Sequence, residues 1–172
     1  MQRFLLQMAG EAGTGKSTLA RAIGSVTGAV VLDRDYFKAP LMEEGLSFQE
    51  AGGLSYAVFF SVAKSLLMQE RSLILDSAAF YPDIIERGER LAAAAGAAYR
   101  VIECWLPDAA EHDRRLQERE RLVSQPVSLT AAVAEVKPGK TALTCPHLRL
   151  DTTMSMTSVL ARALTYLSDG QG

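Results

Sequence analysis

Short apolar runs alternate along the chain with stretches in which apolar residues recur every three or four positions, the signature of strands followed by helices. Phe4-Leu5-Leu6-Gln7-Met8 reads as a buried strand, and Lys16 to Val26 as a helix that ends near Thr27-Gly28. Ala29-Val30-Val31-Leu32 is a short β-branched strand running into Asp33-Arg34-Asp35. The stretch from Lys38 to Gly53 carries Pro40, Gly45 and the pair Gly52-Gly53, and predicts a loop with at most one short helix. From Leu54 to Glu70 the residues Leu54, Val58, Val62 and Leu66 recur at helical spacing, widened by Phe59, Ala63 and Leu67, which predicts a core helix with that face inward. Ser72-Leu73-Ile74-Leu75 is a third strand that ends on Asp76 and Ser77, and Pro82-Asp83 opens a helix running to Ala95, where Gly96 is a natural stop. Tyr99 to Trp105 is the fourth strand. Asp108 with Glu111 three residues later resembles a capping box for a charge-dense helix reaching about Leu122. Ser124 to Thr130 reads as loop, Ala131 to Val136 as one or two helical turns, and Lys137-Pro138-Gly139-Lys140 as a turn. His147-Leu148-Arg149-Leu150 is a fifth strand ending on Asp151, Ser155 to Leu167 is the closing helix, and residues 168–172 are expected to fray. Five such alternations predict an α/β fold in which a parallel sheet is covered by helices on both faces. No repeat, low-complexity tract or linker interrupts the pattern, so residues 1–172 are expected to form one domain.

Composition narrows the class. With 48% hydrophobic and 22% charged residues over 172 positions, the chain has the make-up of an ordinary globular domain. A net charge of −2 and a pI near 5.7 provide no basic footprint, which disfavours nucleic acid as a partner. The absence of an apolar run of about 18 residues predicts no membrane span, and an N-terminus that enters a strand directly predicts no signal peptide. Cys104 and Cys145 lack metal or redox spacing, which is expected of a reducing, cytoplasmic setting.

The candidate chemistry is concentrated at residues 10–17, Gly10-Glu11-Ala12-Gly13-Thr14-Gly15-Lys16-Ser17, which fit the phosphate-binding pattern G-x-x-x-x-G-K-[ST] without a mismatch. Glycines let successive N–H groups turn inward around a polyphosphate at a helix N-terminus, Lys16 adds charge for the β- and γ-phosphates, and the Ser17 hydroxyl suits Mg²⁺. Thr18 continues this run into the helix. Asp76, at the end of the third strand, stands where a carboxylate could orient the metal beside Ser17. Asp33 and Asp35 are two apart, so a persisting strand would put them on one face, one carboxylate meeting the metal and the other accepting a proton; a solvated turn is the competing account. Arg34 between them is either an acceptor contact or their neutralising partner. Arg115 and Arg119 lie one helical turn apart, spaced to stack on a base and to reach a γ-phosphate.

On the residue run Gly10 to Ser17, on Leu32-Asp33-Arg34-Asp35, Leu75-Asp76-Ser77, Tyr99 to Cys104 and Arg115-Leu116-Gln117-Glu118-Arg119, the chain resembles the small P-loop kinases of the adenylate kinase-like superfamily. More narrowly it resembles the predicted-kinase AAA-type family, itself similar to shikimate kinase, chloramphenicol phosphotransferase and zeta toxins. The resemblance implies a three-layer αβα P-loop NTPase fold with a five-stranded parallel sheet in the order 2-3-1-4-5. It also implies a lid at about residues 120–140, Arg115 beside the adenine, Arg119 as lid cation, and the loop Asp151-Thr152-Thr153 near the base. The expected activity is transfer of the γ-phosphate of ATP, with Mg²⁺, to a hydroxyl of a small-molecule acceptor. Asp35 is favoured as base, Asp33 and Asp76 lie near the metal, and the acceptor lies over Asp33 to Leu54 with Tyr36, Phe37 and Lys38 as contacts. A nucleotide-binding switch or partner-regulated ATPase, and a polynucleotide 5′-hydroxyl kinase, are the competing functions. A monomer or a homodimer fits either reading.

Overall fold

The computed structural model describes residues 2–118, 120–126, 128, 130–131 and 142–169. Its strands are β1 (Phe4–Ala9), β2 (Val30–Asp33), β3 (Leu73–Asp76), β4 (Ala98–Trp105) and β5 (Leu148–Asp151). The helices are α1 (Lys16–Thr27), α2 (Asp35–Glu43), α3 (Phe48–Met68), α4 (Pro82–Ala95), α5 (Ala109–Glu118) and α6 (Met156–Ser168). All strand pairs are parallel and the sheet order is β2-β3-β1-β4-β5, the order of the P-loop NTPase fold. β1 is central, and every residue of it is buried.

Alternation along β1 builds the two layers. Leu6 and Met8 pack with Leu19, Ile23, Val159 and Ala163, so α1 and α6 cover one face. Leu5 and Ala9 pack with Phe59, Leu73, Leu75, Ile84 and Val101, so α3 and α4 cover the other. Fully burying each of these large side chains contributes roughly 1.5–3 kcal/mol, which is what holds a short parallel sheet together. Because every strand runs the same way, the C-terminal ends of β1, β2 and β3 open on one edge, where the loop after β1, Asp33 and Asp76 meet.

Four of the expectations are corrected. The segment Lys38–Gly53 is mostly helical: α2 starts at Asp35 and α3 at Phe48, and Gly52-Gly53 lies inside α3. The reason is a capping box, in which Ser47 Oγ accepts the Glu50 N–H at 3.3 Å and Glu50 Oε2 accepts the Ser47 N–H at 3.0 Å. That cap and the packed helix beyond it outweigh a glycine penalty of roughly 1 kcal/mol each. The inward face of α3 does not extend to Leu54 and Val58, which are 50% and 49% exposed, while Val62 and Leu66 are only partly buried against the core. Phe59, Ala63 and Leu67 of that face are buried as expected, and Ala51 and Ser55 join them. Two adjacent stripes of α3 are apolar, and the one carrying Phe59 beside Phe60 has the larger surface to bury. By length and composition alone α3 could cross a membrane, with mean hydropathy 1.4, yet its buried residues sit in the core with Leu73 and Leu75.

Asp33 and Asp35 do not share a strand face. β2 ends at Asp33, Arg34 is already in the right-handed helical region, and Asp35 opens α2. The α5 helix ends by Glu118 and not near Leu122, whose N–H is donated to Gln125 Oε1 at 3.2 Å and not to a helix carbonyl. The expected turn at 137–140, most of the helical turns at 131–136 and most of the lid at 120–140 lie outside the described residues, as does Arg119.

Candidate functional site

The loop from Gly10 to Gly15 turns tightly between β1 and α1. Gly10 has φ +131°, and a side chain there would run into the Cys104 carbonyl; Gly13 has φ +83°, and a Cβ would lie 2.8 Å from Leu116. Thr14 is buried with its Oγ1 donating to the Glu11 carbonyl at 2.9 Å, while Lys16 Nζ donates to the same carbonyl at 2.6 Å. No side chain caps α1, so its first N–H groups face the loop and the site.

α5 braces this loop from outside. The Asp108 carboxylate caps α5 by accepting the Ala110 and Glu111 N–H groups at 2.9 and 3.1 Å. His112, buried, shares a hydrogen bond between Nε2 and the Ala12 carbonyl. Arg115 donates to Glu111 at 2.7 Å and to the Thr152 carbonyl at 3.0 Å, with Nη1 4.0 Å from where a Gly15 Cβ would stand. The arginine plane is thereby set beside the N-terminus of α1. Bonds from Arg114 and Arg115 hold the Glu111 carboxyl down at about 2.

The carboxylates converge from two strand ends. Asp33 and Asp76 are directly paired in the β2–β3 register, and the Arg34 N–H donates to the Asp76 carbonyl at 3.0 Å. Burial, together with the charge of Asp76, pushes Asp33 up to about 6. Burial also raises Asp76, against the pull of Lys16 and of a hydrogen bond with Ser17. Asp76 is 4% exposed and its Oδ2 has no hydrogen-bond partner among the described residues. A buried, unpartnered carboxylate oxygen beside a serine hydroxyl suits a hard cation. Among the described residues no three His, Cys, Asp or Glu side chains cluster as a cage.

Asp35 reaches the same place by a turn: its N–H donates to Asp33 Oδ1 at 2.9 Å. Its own carboxylate takes Arg34 at 3.3 Å on Oδ1 and Gln125 Nε2 at 2.8 Å on Oδ2. Arg34 is thus the neutralising partner of Asp35, and its guanidinium lies 4.8 Å above the Tyr56 ring.

One cavity of about 1580 Å³ is lined by Glu11, Ala12, Gly13, Gly15, Lys16, Ser17, Thr18, Asp33, Asp35, Asp76 and Arg115. Of the remaining expected residues, Gly10 and Thr14 belong to the loop but do not line this cavity, and Arg119 is outside the described residues. Tyr36 and Lys38 line the cavity, but Phe37 does not: its ring packs edge-on against Phe59, 5.7 Å away, because α2 turns it into the core.

Residues 5–136 match the model of the AAA domain family. The chain belongs to that family. No curated protein matches it significantly. Solved structures share the fold of this AAA-domain protein across nearly its whole length. A candidate kinase from Chloroflexus aurantiacus J-10-fl is 20% identical with a TM-score of 0.74, covering 98% of this chain and 100% of its own. A sugar kinase from Janibacter sp. HTCC2649 is 20% identical, with a TM-score of 0.70 and coverage of 99% and 96%. The APS kinase of Mycobacterium tuberculosis, solved with AMPPNP and APS, is 19% identical, with a TM-score of 0.71 and coverage of 96% and 98%.

Four residues of the AAA-domain site carry no motif. Gln7 lies in the buried β1 and bonds Ser77 Oγ at 3.1 Å and the Leu75 carbonyl at 3.1 Å. Its signal is a polar residue inside an apolar run. His112 and Gln125 act on the loop and on Asp35 from distant segments, and Arg87 of α4 enters the cavity wall. Nothing in their local sequence marks these three.

Proposed function

We propose that the protein is an ATP- and Mg²⁺-dependent phosphotransferase that moves the γ-phosphate onto a hydroxyl of a small-molecule acceptor. The observation that carries this reading is the extent of the cavity. It runs beyond the phosphate loop and the carboxylates to Tyr36, Lys38, Tyr56 and Arg87, space that hydrolysis by water does not need. The shared fold of a sugar kinase and of an APS kinase supports it.

In this reading the loop N–H groups and Lys16 hold the polyphosphate, and Arg115 flanks the nucleotide. Ser17 and Asp76 hold Mg²⁺, with Asp33 next to them; the ion supplies positive charge against the charge developing on the transferred group. Asp35 takes the proton of the acceptor hydroxyl as the new O–P bond forms and ADP leaves with the electrons of the old one. Arg34 and Gln125 each occupy one Asp35 oxygen, and each oxygen retains a second lone pair for that proton.

The test is ADP release measured across a panel of hydroxylated metabolites. Acceptor-dependent release, lost by about 100-fold or more in Asp35→Asn while AMPPNP still binds, is the expected result. Slow hydrolysis that no acceptor stimulates would instead indicate a nucleotide-binding switch or partner-regulated ATPase.

A further inference from the structure

The reading above leaves the acceptor without a chemical class, and the cavity wall supplies one. Asp35 pairs with Arg34, whose guanidinium covers Tyr56. The Tyr56 ring stacks on Phe60, 6.2 Å between centres and 23° from parallel. The other cover of Phe60 is Arg87, with its guanidinium carbon 4.1 Å from the ring centre. A continuous line of side chains therefore joins the carboxylate assigned as base to a second arginine, and Arg34, Asp35, Tyr56 and Arg87 all line the same cavity.

The two arginines differ in one respect. Arg34 is neutralised by Asp35, whereas Arg87 is half-buried and has no carboxylate within ion-pair distance among the described residues. Asp83, one turn earlier on α4, lines the cavity as well but makes no ion pair with it. An aromatic face holds a guanidinium in place without cancelling its charge, so Arg87 stays a positive, oriented donor fork. Partly desolvating such a group without an anion is unfavourable, and an oxyanion that presents two oxygens side by side is the ligand its fork matches. Lys38, buried in the same wall, places its Nζ 2.8 Å from the centre of the Phe48 ring.

We propose that the acceptor is an alcohol bearing an oxyanion group, a carboxylate or a phosphate, which Arg87 binds while the hydroxyl faces Asp35. This rests on the phosphotransferase reading for the role of Asp35, but the anion site itself does not. Arg87 contributes to binding the acceptor in ground and transition state alike, so its loss appears mainly in KM and little in kcat.

The experiment loads the protein with Mg²⁺ and AMPPNP, which keeps the phosphate loop from capturing the probes. Calorimetric titrations then compare matched pairs: D-glycerate against glycerol, D-gluconate against D-glucitol, and glycerol 3-phosphate against glycerol. The first two pairs report a carboxylate and the third a phosphate. The expected result is that the charged member of at least one pair binds about 10- to 100-fold tighter than its neutral partner. That preference disappears in Arg87→Gln and returns in part in Arg87→Lys, both variants being checked for folding by circular dichroism. Equal or tighter binding of the neutral members, the absence of any charged preference, or a preference that survives in Arg87→Gln would overturn the proposal. ADP release driven by neutral alcohols overturns it too while leaving the phosphotransferase reading standing. An Arg87-dependent oxyanion preference with no acceptor-dependent ADP release sinks that reading and keeps the site.

Discussion

Asp33 shows how a single position records its surroundings. Its carboxyl is pushed up from 3.8 to about 6 by burial and by Asp76. The folded protein therefore keeps a proton that the unfolded chain has already lost between those values. Stability falls as pH rises through that window, and the cost stays in full above it. Asp33→Asn, which can still accept the Asp35 N–H, should stabilise the nucleotide-free protein at pH 7.5 and not at pH 3.5. The gain should be on the order of 1–2 kcal/mol, discounted for partial exposure of the carboxyl. Urea midpoints in Mg²⁺-free buffer at the two pH values measure it. That Asp33 sits at a strand end was legible from four apolar residues before an acidic one. Its pairing with Asp76, 43 positions away in sequence, was not, because register between strands depends on which strands become neighbours.

At the scale of the element, α3 and α5 separate stability from binding. The capping box of α3 is local, and Ser47→Ala should cost about 1 kcal/mol of stability with AMPPNP affinity unchanged. α5 acts on another element: His112→Leu should leave the Ala12 carbonyl short of its partner and loosen the loop. AMPPNP binding by calorimetry should weaken by about tenfold, the equivalent of ~1.4 kcal/mol. The existence and ends of α1 and α4 follow from Gly28 and Gly96, both left-handed C-caps. Spacing found Phe59, Ala63 and Leu67 on the inward face of α3 but not that Leu54 and Val58 stay exposed, because a helix period identifies stripes without saying how much of them another layer will cover.

For the molecule as a whole, the two layers of helices meet at the strand ends, and a ligand there joins parts that otherwise touch little. Gln125 bonds Asp35 across 90 positions, and Arg115 bonds Thr152 across 37. At 100 times its Kd, nucleotide with Mg²⁺ should stabilise the fold by ~2.7 kcal/mol, a rise in Tm of roughly 5–10 °C for a chain of this size. Lys16→Ala should abolish the rise in a thermal melt while leaving the ligand-free Tm close to that of the parent.

The order of strands and helices, the phosphate loop and the three acidic strand ends are written locally, in runs of four to eight residues whose backbone preferences and side-chain spacing need no distant partner. Tertiary structure alone decided the contacts that close the site: Asp33 beside Asp76, Gln125 on Asp35, His112 under Ala12, and Arg87 over Phe60. Each joins residues at least 27 positions apart, and such contacts form only where packing two layers on one sheet brings their elements together, information that no window along the chain contains.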